Sequence, residues 1–202
     1  MATEIEMKLR VLDEGVDVTE RLKACLFEKA IDCHFQSNKL VNIYFDTPAW
    51  DLNAHKIALR IRDKGGDYIQ TLKTKGQSVA GLSQRGEWEW CVPVPALDQS
   101  LLRACEAWPA GIEIDALVAV FETNFTRYQC EFAWEGMRIE LAFDEGNIIS
   151  RGRLEKIREI ELELKSGNEN HLHSLTAYIQ QHISLAPSDI SKAERGYRLF
   201  GL

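Results

Sequence analysis

The chain has 202 residues, room for one large domain or two small ones, and 45% hydrophobic residues supply a sizeable core. A formal net charge of −7 argues against a nucleic-acid binder held by a broad basic surface, although it leaves room for a local cationic pocket. Cys25, Cys33, Cys91, Cys105 and Cys130 are scattered without a CxxC, no apolar run reaches membrane-span length, and the N-terminus is charged from Glu4. A disulfide framework, a zinc site, a membrane span and a signal peptide are therefore not expected, and reduced thiols in a cytoplasmic protein are.

Period-two alternation dominates the chain in order. It opens at residues 4–11 and gives way to a helical stretch at 18–30, with Asp17 or Thr19 as the cap. A strand pattern returns at 40–46 and is broken by Thr47-Pro48. Residues 57–62 alternate again, 64–67 read as a hairpin turn, and 68–75 form the return strand. A strand at 84–92 carries Trp88, Trp90 and Val92 on one face. The mixed segment 93–115 holds a short helix at 98–107. Strands follow at 126–134, 137–144 and 158–165, the first two joined by a tight turn at Glu135-Gly136. Helices at 169–182 and 188–200 close the chain. About eight strands joined more often by hairpins than by crossover helices favour an antiparallel α+β domain over a parallel sheet. Eight strands can also close into a β-barrel, which removes exposed edges.

Side chains two apart on a strand share a face. Glu4, Glu6, Lys8 and Arg10 therefore line up, as do Arg60 with Arg62, Lys73 with Lys75, and Arg85 with Glu87 and Glu89. The same sorting groups Arg127 with Glu131, Arg138 with Glu140 and Asp144, and Glu159, Glu161, Glu163 and Lys165. An open sheet with one face in water explains one charged face per strand. Two features favour the alternative, a sheet closed with its charged faces inward. Lys and Glu are poor strand formers yet recur on strand after strand. Like charges also stack in pairs, which suits a multivalent ligand better than solvent. Such an interior offers hard carboxylate oxygens for Mg²⁺ or Mn²⁺ and Arg and Lys for phosphate oxygens.

These residues resemble the CYTH family of triphosphate tunnel metalloenzymes. The resemblance is carried by Glu4-x-Glu6-x-Lys8, Asn42-x-Tyr44-Phe45-Asp46-Thr47, Leu59-Arg60-Ile61-Arg62, Leu72-Lys73 and Arg85-x-Glu87. It continues through Arg127, Glu140-x-x-x-Asp144, the run 159–163, and Ser191-Lys192-Ala193-x-Arg195-Gly196-Tyr197, and so covers essentially the whole chain. An ExExK alone is weak; the full set in order is specific. The closing segment is most similar to bacterial inorganic triphosphatases of this family. The resemblance implies one tunnel domain over residues 1–202: an eight-stranded antiparallel β-barrel with a charged interior and flanking helices.

It also implies metal-dependent hydrolysis of inorganic triphosphate to pyrophosphate and phosphate. Two Mg²⁺ or Mn²⁺ ions would be held by Glu4, Glu6, Asp144, Glu159 and Glu161. Glu163 shares the face of the last two and is expected nearer a tunnel mouth. Lys8, Arg60, Arg62, Lys73, Arg85, Arg127, Lys192 and Arg195 would bind phosphate, and Lys8, Arg60, Arg62 and Lys73, with Glu87, would act in catalysis. Within the same family, adenylate cyclases of the class IV type and thiamine triphosphatases are the alternatives, but nothing in the sequence declares a base pocket. A non-catalytic polyphosphate-binding module would keep the cations and lose a carboxylate, yet all the expected carboxylates are present. Close bacterial relatives often carry a helical CHAD domain after this one, so the sequence ending at Leu202 is a stand-alone version or a piece of a longer chain.

Overall fold

The computed structural model describes residues 2–31 and 33–201. Its first strand, β1 (Ala2–Val11), leads through α1 (Val18–Glu28) to β2 (Gln36–Asp46) and α2 (Asp51–Ala54). The hairpin β3 (Ala58–Lys64) and β4 (Asp67–Lys73) follows, then β5 (Gln77–Val79), β6 (Leu82–Val92) and α3 (Gln99–Arg103). Three long strands come next: β7 (Val118–Trp134), β8 (Met137–Ser150) and β9 (Arg153–Ser166). The chain closes with α4 (Leu172–Ile179), β10 (Leu185–Pro187) and α5 (Lys192–Phe200).

The strands form one antiparallel sheet in which β1 pairs with both β9 and β6. That double pairing closes the ring β1-β9-β8-β7-β2-β3-β4-β6, an eight-stranded barrel. The short strands β10 and β5 hang on β1 and β6 outside it. Both were too short and too mixed to alternate, so the sequence pattern missed them and the count is ten rather than eight.

The outer face is apolar, as the sorting of side chains required. Met7, Leu9, Leu141, Phe143, Ile160 and Leu162 pack under Leu22 and Leu26 of α1 and Leu172, Leu175 and Ile179 of α4, with Ile5 half-buried beside them. Leu59, Leu72, Trp88 and Trp90 pack with Leu52, Leu102, Ile112 and Ile114 on another side. Each fully buried Leu or Ile contributes about 1.5–3 kcal/mol of transfer free energy, so this outer shell holds the wall against the cost of its charged interior.

The inner face has two zones. On the faces that carry Arg127, Asp144 and Glu159, the strands continue into Phe121, Phe125, Ile148 and Ile157, which pack with Ala193 and Tyr197 of α5. The helix thus plugs one end of the barrel from inside. Gly196 makes this possible, because a Cβ there would stand 2.2 Å from the Phe121 ring. The apolar zone also explains why β7, β8 and β9 run past their expected ends at residues 126, 144 and 158. Their inward residues there turn from charged to apolar while outward positions such as Glu122, Asn124, Glu145, Asn147 and Lys156 are polar, so the period-two pattern changes phase although the ladder continues. The β8–β9 turn was equally hidden. Arg151 and Gly152 have φ of 49° and 75°, the left-handed pair of a tight hairpin, in a sequence without a strong turn signal.

α1 starts at Val18 as expected, whereas α5 starts later. Asp17, not Thr19, caps α1 by accepting from Glu20 N at 3.0 Å. Ser191 caps α5 in a capping box with Glu194, so the helix begins at Lys192 rather than at 188. Arg138 keeps the face it was sorted onto but lies exposed near the end of β8, where it bonds Glu131 at 2.7 Å, while Glu140 stays at the cavity.

Candidate active site

The barrel encloses a cavity of about 280 Å³. β1 contributes Glu4, Glu6 and Lys8; β3 contributes Arg60 and Arg62; β4 and β6 contribute Lys73, Arg85 and Glu87. Arg127, Glu140, Glu161 and Glu163 complete the wall from β7, β8 and β9, and Lys192 enters from the α5 plug. Cross-strand register accounts for the convergence: Glu4 lies opposite Arg85, Lys8 opposite Glu161, and Arg127 opposite Asp144.

Most of these charges neutralise each other. Lys73 donates to Glu4 at 2.6 Å and lies 3.0 Å from Glu87, while Arg85 donates to Glu4 at 2.8 Å and to Glu6 at 3.3 Å. Burial alone would raise the Glu4 carboxyl; Lys73 and Arg85 overcome it and hold the pKa at about 2. Arg127 forks onto Asp144 with two bonds of 2.7 Å and reaches Glu161 at 2.5 Å. Lys192 contacts Asp144 at 2.6 Å, Glu161 at 2.9 Å, and Glu159. Burial opposes ionisation of Asp144 and Glu161 too, but Arg127 and Lys192 keep both below the ordinary carboxylate range.

Two cations lack such partners. Arg62 donates Nε to Asn42 at 2.7 Å, and among the described residues no carboxylate lies within 4.0 Å of it. Arg60 reaches only Glu89, at 4.0 Å, and its buried Nε has no hydrogen-bond partner among the described residues. Burial, then Arg60 and Arg127, push the Arg62 pKa below its ordinary value. The buried Tyr44 hydroxyl shows the same excess of positive charge: burial would raise it, yet Arg60, Lys192 and Arg62 pull it down.

Asp144, Glu159 and Glu161 offer oxygen atoms all within 4.8 Å of one another, an all-oxygen donor set suited to a hard divalent cation. Glu4 and Glu6 stand apart from this trio, held by Arg85 on the β1–β6 side. Exposure rises along β9, with side-chain values of 3% at Glu159, 14% at Glu161 and 29% at Glu163. Glu163 pairs with Lys165 at 2.8 Å; burial, with Glu140 and Glu4 nearby, still raises its pKa against that pull. Arg195 is not at the cavity wall. It lies behind Glu159, at 3.0 Å, and bonds Glu155 at 2.6 Å. Asn42, Tyr44 and Thr71 are cavity-side groups that a search for charge alone passes over. The period-two face through Asn42 and Tyr44 was the available signal.

Residues 2–197 match the family model of the CYTH domain. This chain belongs to the CYTH family. A curated relative, the inorganic triphosphatase of Haemophilus influenzae (strain ATCC 51907 / DSM 11121 / KW20 / Rd), is 32% identical over 98% of this chain and 55% of that protein. The chain thus spans about half the length of the curated relative it matches. Among solved structures, a Hippeastrum protein described as a candidate adenylyl cyclase with a dominant triphosphatase activity superposes with a TM-score of 0.68, at 24% identity. It covers 96% of this chain and 95% of its own. The PH1819 protein of Pyrococcus horikoshii OT3 gives a TM-score of 0.59 at 16% identity, over 96% and 98% of the two chains. These two likenesses speak for the CYTH barrel alone. Among the described residues, no helix is long and apolar enough to cross a membrane.

Proposed function

We propose that this CYTH chain hydrolyses inorganic triphosphate to pyrophosphate and phosphate inside its barrel, with Mg²⁺ or Mn²⁺. The observation that carries the reading is the pair of buried Arg60 and partly buried Arg62 on one strand face without a close carboxylate, in a cavity whose wall includes Glu161 of the three-carboxylate cluster. Desolvating a cation without a close carboxylate is costly, and a polyanion is the ligand that offsets the cost. The chemistry named for the Haemophilus influenzae relative is of the same kind.

In this reading Arg60 and Arg62 grip phosphate oxygens in forked bonds and fix the anion along the cavity. Lys8, Lys73, Arg85 and Arg127 gather around the remaining phosphate charge, and Lys73 is oriented by Glu87. Phosphoryl transfer needs mainly positioning and charge stabilisation, which such a cage provides. Asp144, Glu159 and Glu161, with Glu4, Glu6 and Glu163 on the neighbouring wall, would hold the divalent ions. When bound, these supply Lewis-acid stabilisation of developing charge and activation of the attacking water. Arg195 acts from behind, by orienting Glu159.

The deciding experiment measures phosphate release from tripolyphosphate, ATP and thiamine triphosphate side by side, with Mg²⁺ or Mn²⁺. Preferential release from tripolyphosphate, abolished by EDTA and restored by either ion, is expected. No release from tripolyphosphate with either ion rejects the reading.

A further inference from the structure

Lys192 occupies the centre of the Asp144–Glu159–Glu161 cluster. An ammonium has three N–H donors and no acceptor, and here it faces three different carboxylates: Asp144 at 2.6 Å, Glu161 at 2.9 Å, and Glu159. Only Glu161 of the three lines the cavity. The Asp144 and Glu159 side chains are 0% and 3% exposed, closed in beneath Lys192. The ammonium is therefore both the occupant of the cluster and its cover.

A divalent cation bound by these carboxylates needs the oxygen atoms that the ammonium now holds, at distances near 2.0–2.2 Å for Mg²⁺. Two cations cannot share that space. We propose that Lys192 is an internal competitor for the metal. A divalent ion enters the cluster only as the ammonium swings out, and a bound polyphosphate receives the displaced ammonium. The inference rests on the metal-dependent reading above.

The surroundings permit the swing. Lys192 lines the cavity. Its backbone stays fixed by the Ser191–Glu194 capping box and by Tyr197 bonded to Asp46, so only side-chain torsions change. Arg195 bonds Glu159 Oε2 and Arg127 bonds Asp144 Oδ1 and Glu161 Oε2, oxygens the ammonium does not hold; Arg127 shares only Asp144 Oδ2 with it, so Glu159 Oε1 and Glu161 Oε1 are freed as the ammonium leaves. What awaits the displaced ammonium depends on the cavity's contents. Without an anion it would add a third cation to the under-neutralised Arg60 and Arg62. With a polyphosphate present it gains a partner. Metal and polyphosphate therefore help each other bind, and reciprocity requires the coupling to be equal in both directions.

The test is Mn²⁺ binding followed by electron paramagnetic resonance on wild type and Lys192→Met, with and without a tripolyphosphate analogue whose bridging oxygens are imido groups. The analogue's own chelation is measured separately and subtracted. Wild type should bind Mn²⁺ weakly alone and about tenfold or more tightly with the analogue. Lys192→Met should bind Mn²⁺ tightly alone and gain little from the analogue. Lys192→Gln, which keeps a donor for the cluster, carries the same expectation if Lys192→Met melts below the assay temperature. Equal or weaker Mn²⁺ binding in the folded variants overturns the competition while leaving the metal reading standing. No Mn²⁺ binding by any folded form, with or without the analogue, overturns the metal reading and the competition with it.

Discussion

The Tyr197 hydroxyl donates to Asp46 Oδ2 at 2.7 Å, joining the plug helix to the end of β2. The same carboxylate accepts from the backbone N–H groups of Thr47 (2.7 Å), Leu52 (2.8 Å) and Asn53 (2.9 Å). One buried side chain thus fixes a strand end, the start of α2 and the helix that carries Lys192. Tyr197→Phe removes a bond to a charged acceptor and should cost about 1.5–3 kcal/mol in urea unfolding. Because the helix loses its tie, turnover of tripolyphosphate should fall as well. Unaltered stability would mean the bond contributes nothing.

Gly196→Ala drives a methyl into the Phe121 ring, at 2.2 Å in the unrelaxed structure. Overpacking of this kind costs about 1–3 kcal/mol. The melting temperature should drop, and Phe121→Leu in the same background should recover part of the loss by making room. A double-mutant cycle from thermal melts measures this coupling.

Arg62→Met should separate stability from activity. The guanidinium is disfavoured by burial and by Arg60 and Arg127, so the variant without ligand should melt higher than wild type at low salt. Its kcat/KM on tripolyphosphate should fall by at least about tenfold, the loss of one charged hydrogen bond of about 1.5–3 kcal/mol. A loss of both stability and activity would assign Arg62 a purely structural role.

Acid should weaken the fold through the paired carboxylates. Glu4 is held at about 2, and Asp144 and Glu161 also lie below their ordinary range. Groups with depressed folded values stabilise fully above their unfolded values, about 3.9 for Asp and 4.3 for Glu, and lose that contribution as pH falls through the folded ones. The melting temperature should therefore fall steadily from pH 5 towards pH 2. Glu4→Gln should flatten part of that slope; an unchanged slope would mean that Glu4 is not paired in solution.

The charged half of the barrel was legible because side-chain alternation records which face a residue occupies. Glu4, Arg60 and Glu161 could be sorted onto a common interior before any pairing was known. The plugged half was not legible. There Phe121, Ile148 and Ile157 face inward like Arg127 and Asp144, while Glu122, Asn147 and Lys156 face outward, so the contrast between the two faces is inverted relative to the charged half. Arg195 misled for another reason. The resemblance grouped it with Lys192 as a phosphate clamp, and both side chains reach Glu159, but Arg195 does so from behind the wall, where it also bonds Glu155. The identity of each carboxylate's partner was also beyond the pattern, since it depends on cross-strand register rather than on local spacing.

The double pairing of β1 has a consequence for how the chain acquires this shape. β1 is the keystone of the ring: it must wait for β6 on one side and for β9, more than 140 residues later, on the other. Contacts this distant in sequence make folding slow, because loop-closure entropy is spent before they form. Until the last strand arrives, Glu4, Glu6 and Lys8 remain in water, and the pocket they help to build does not exist. A chain missing either neighbour of β1 lacks the closed cavity that would hold a polyphosphate, so anion capture waits on closure of the ring.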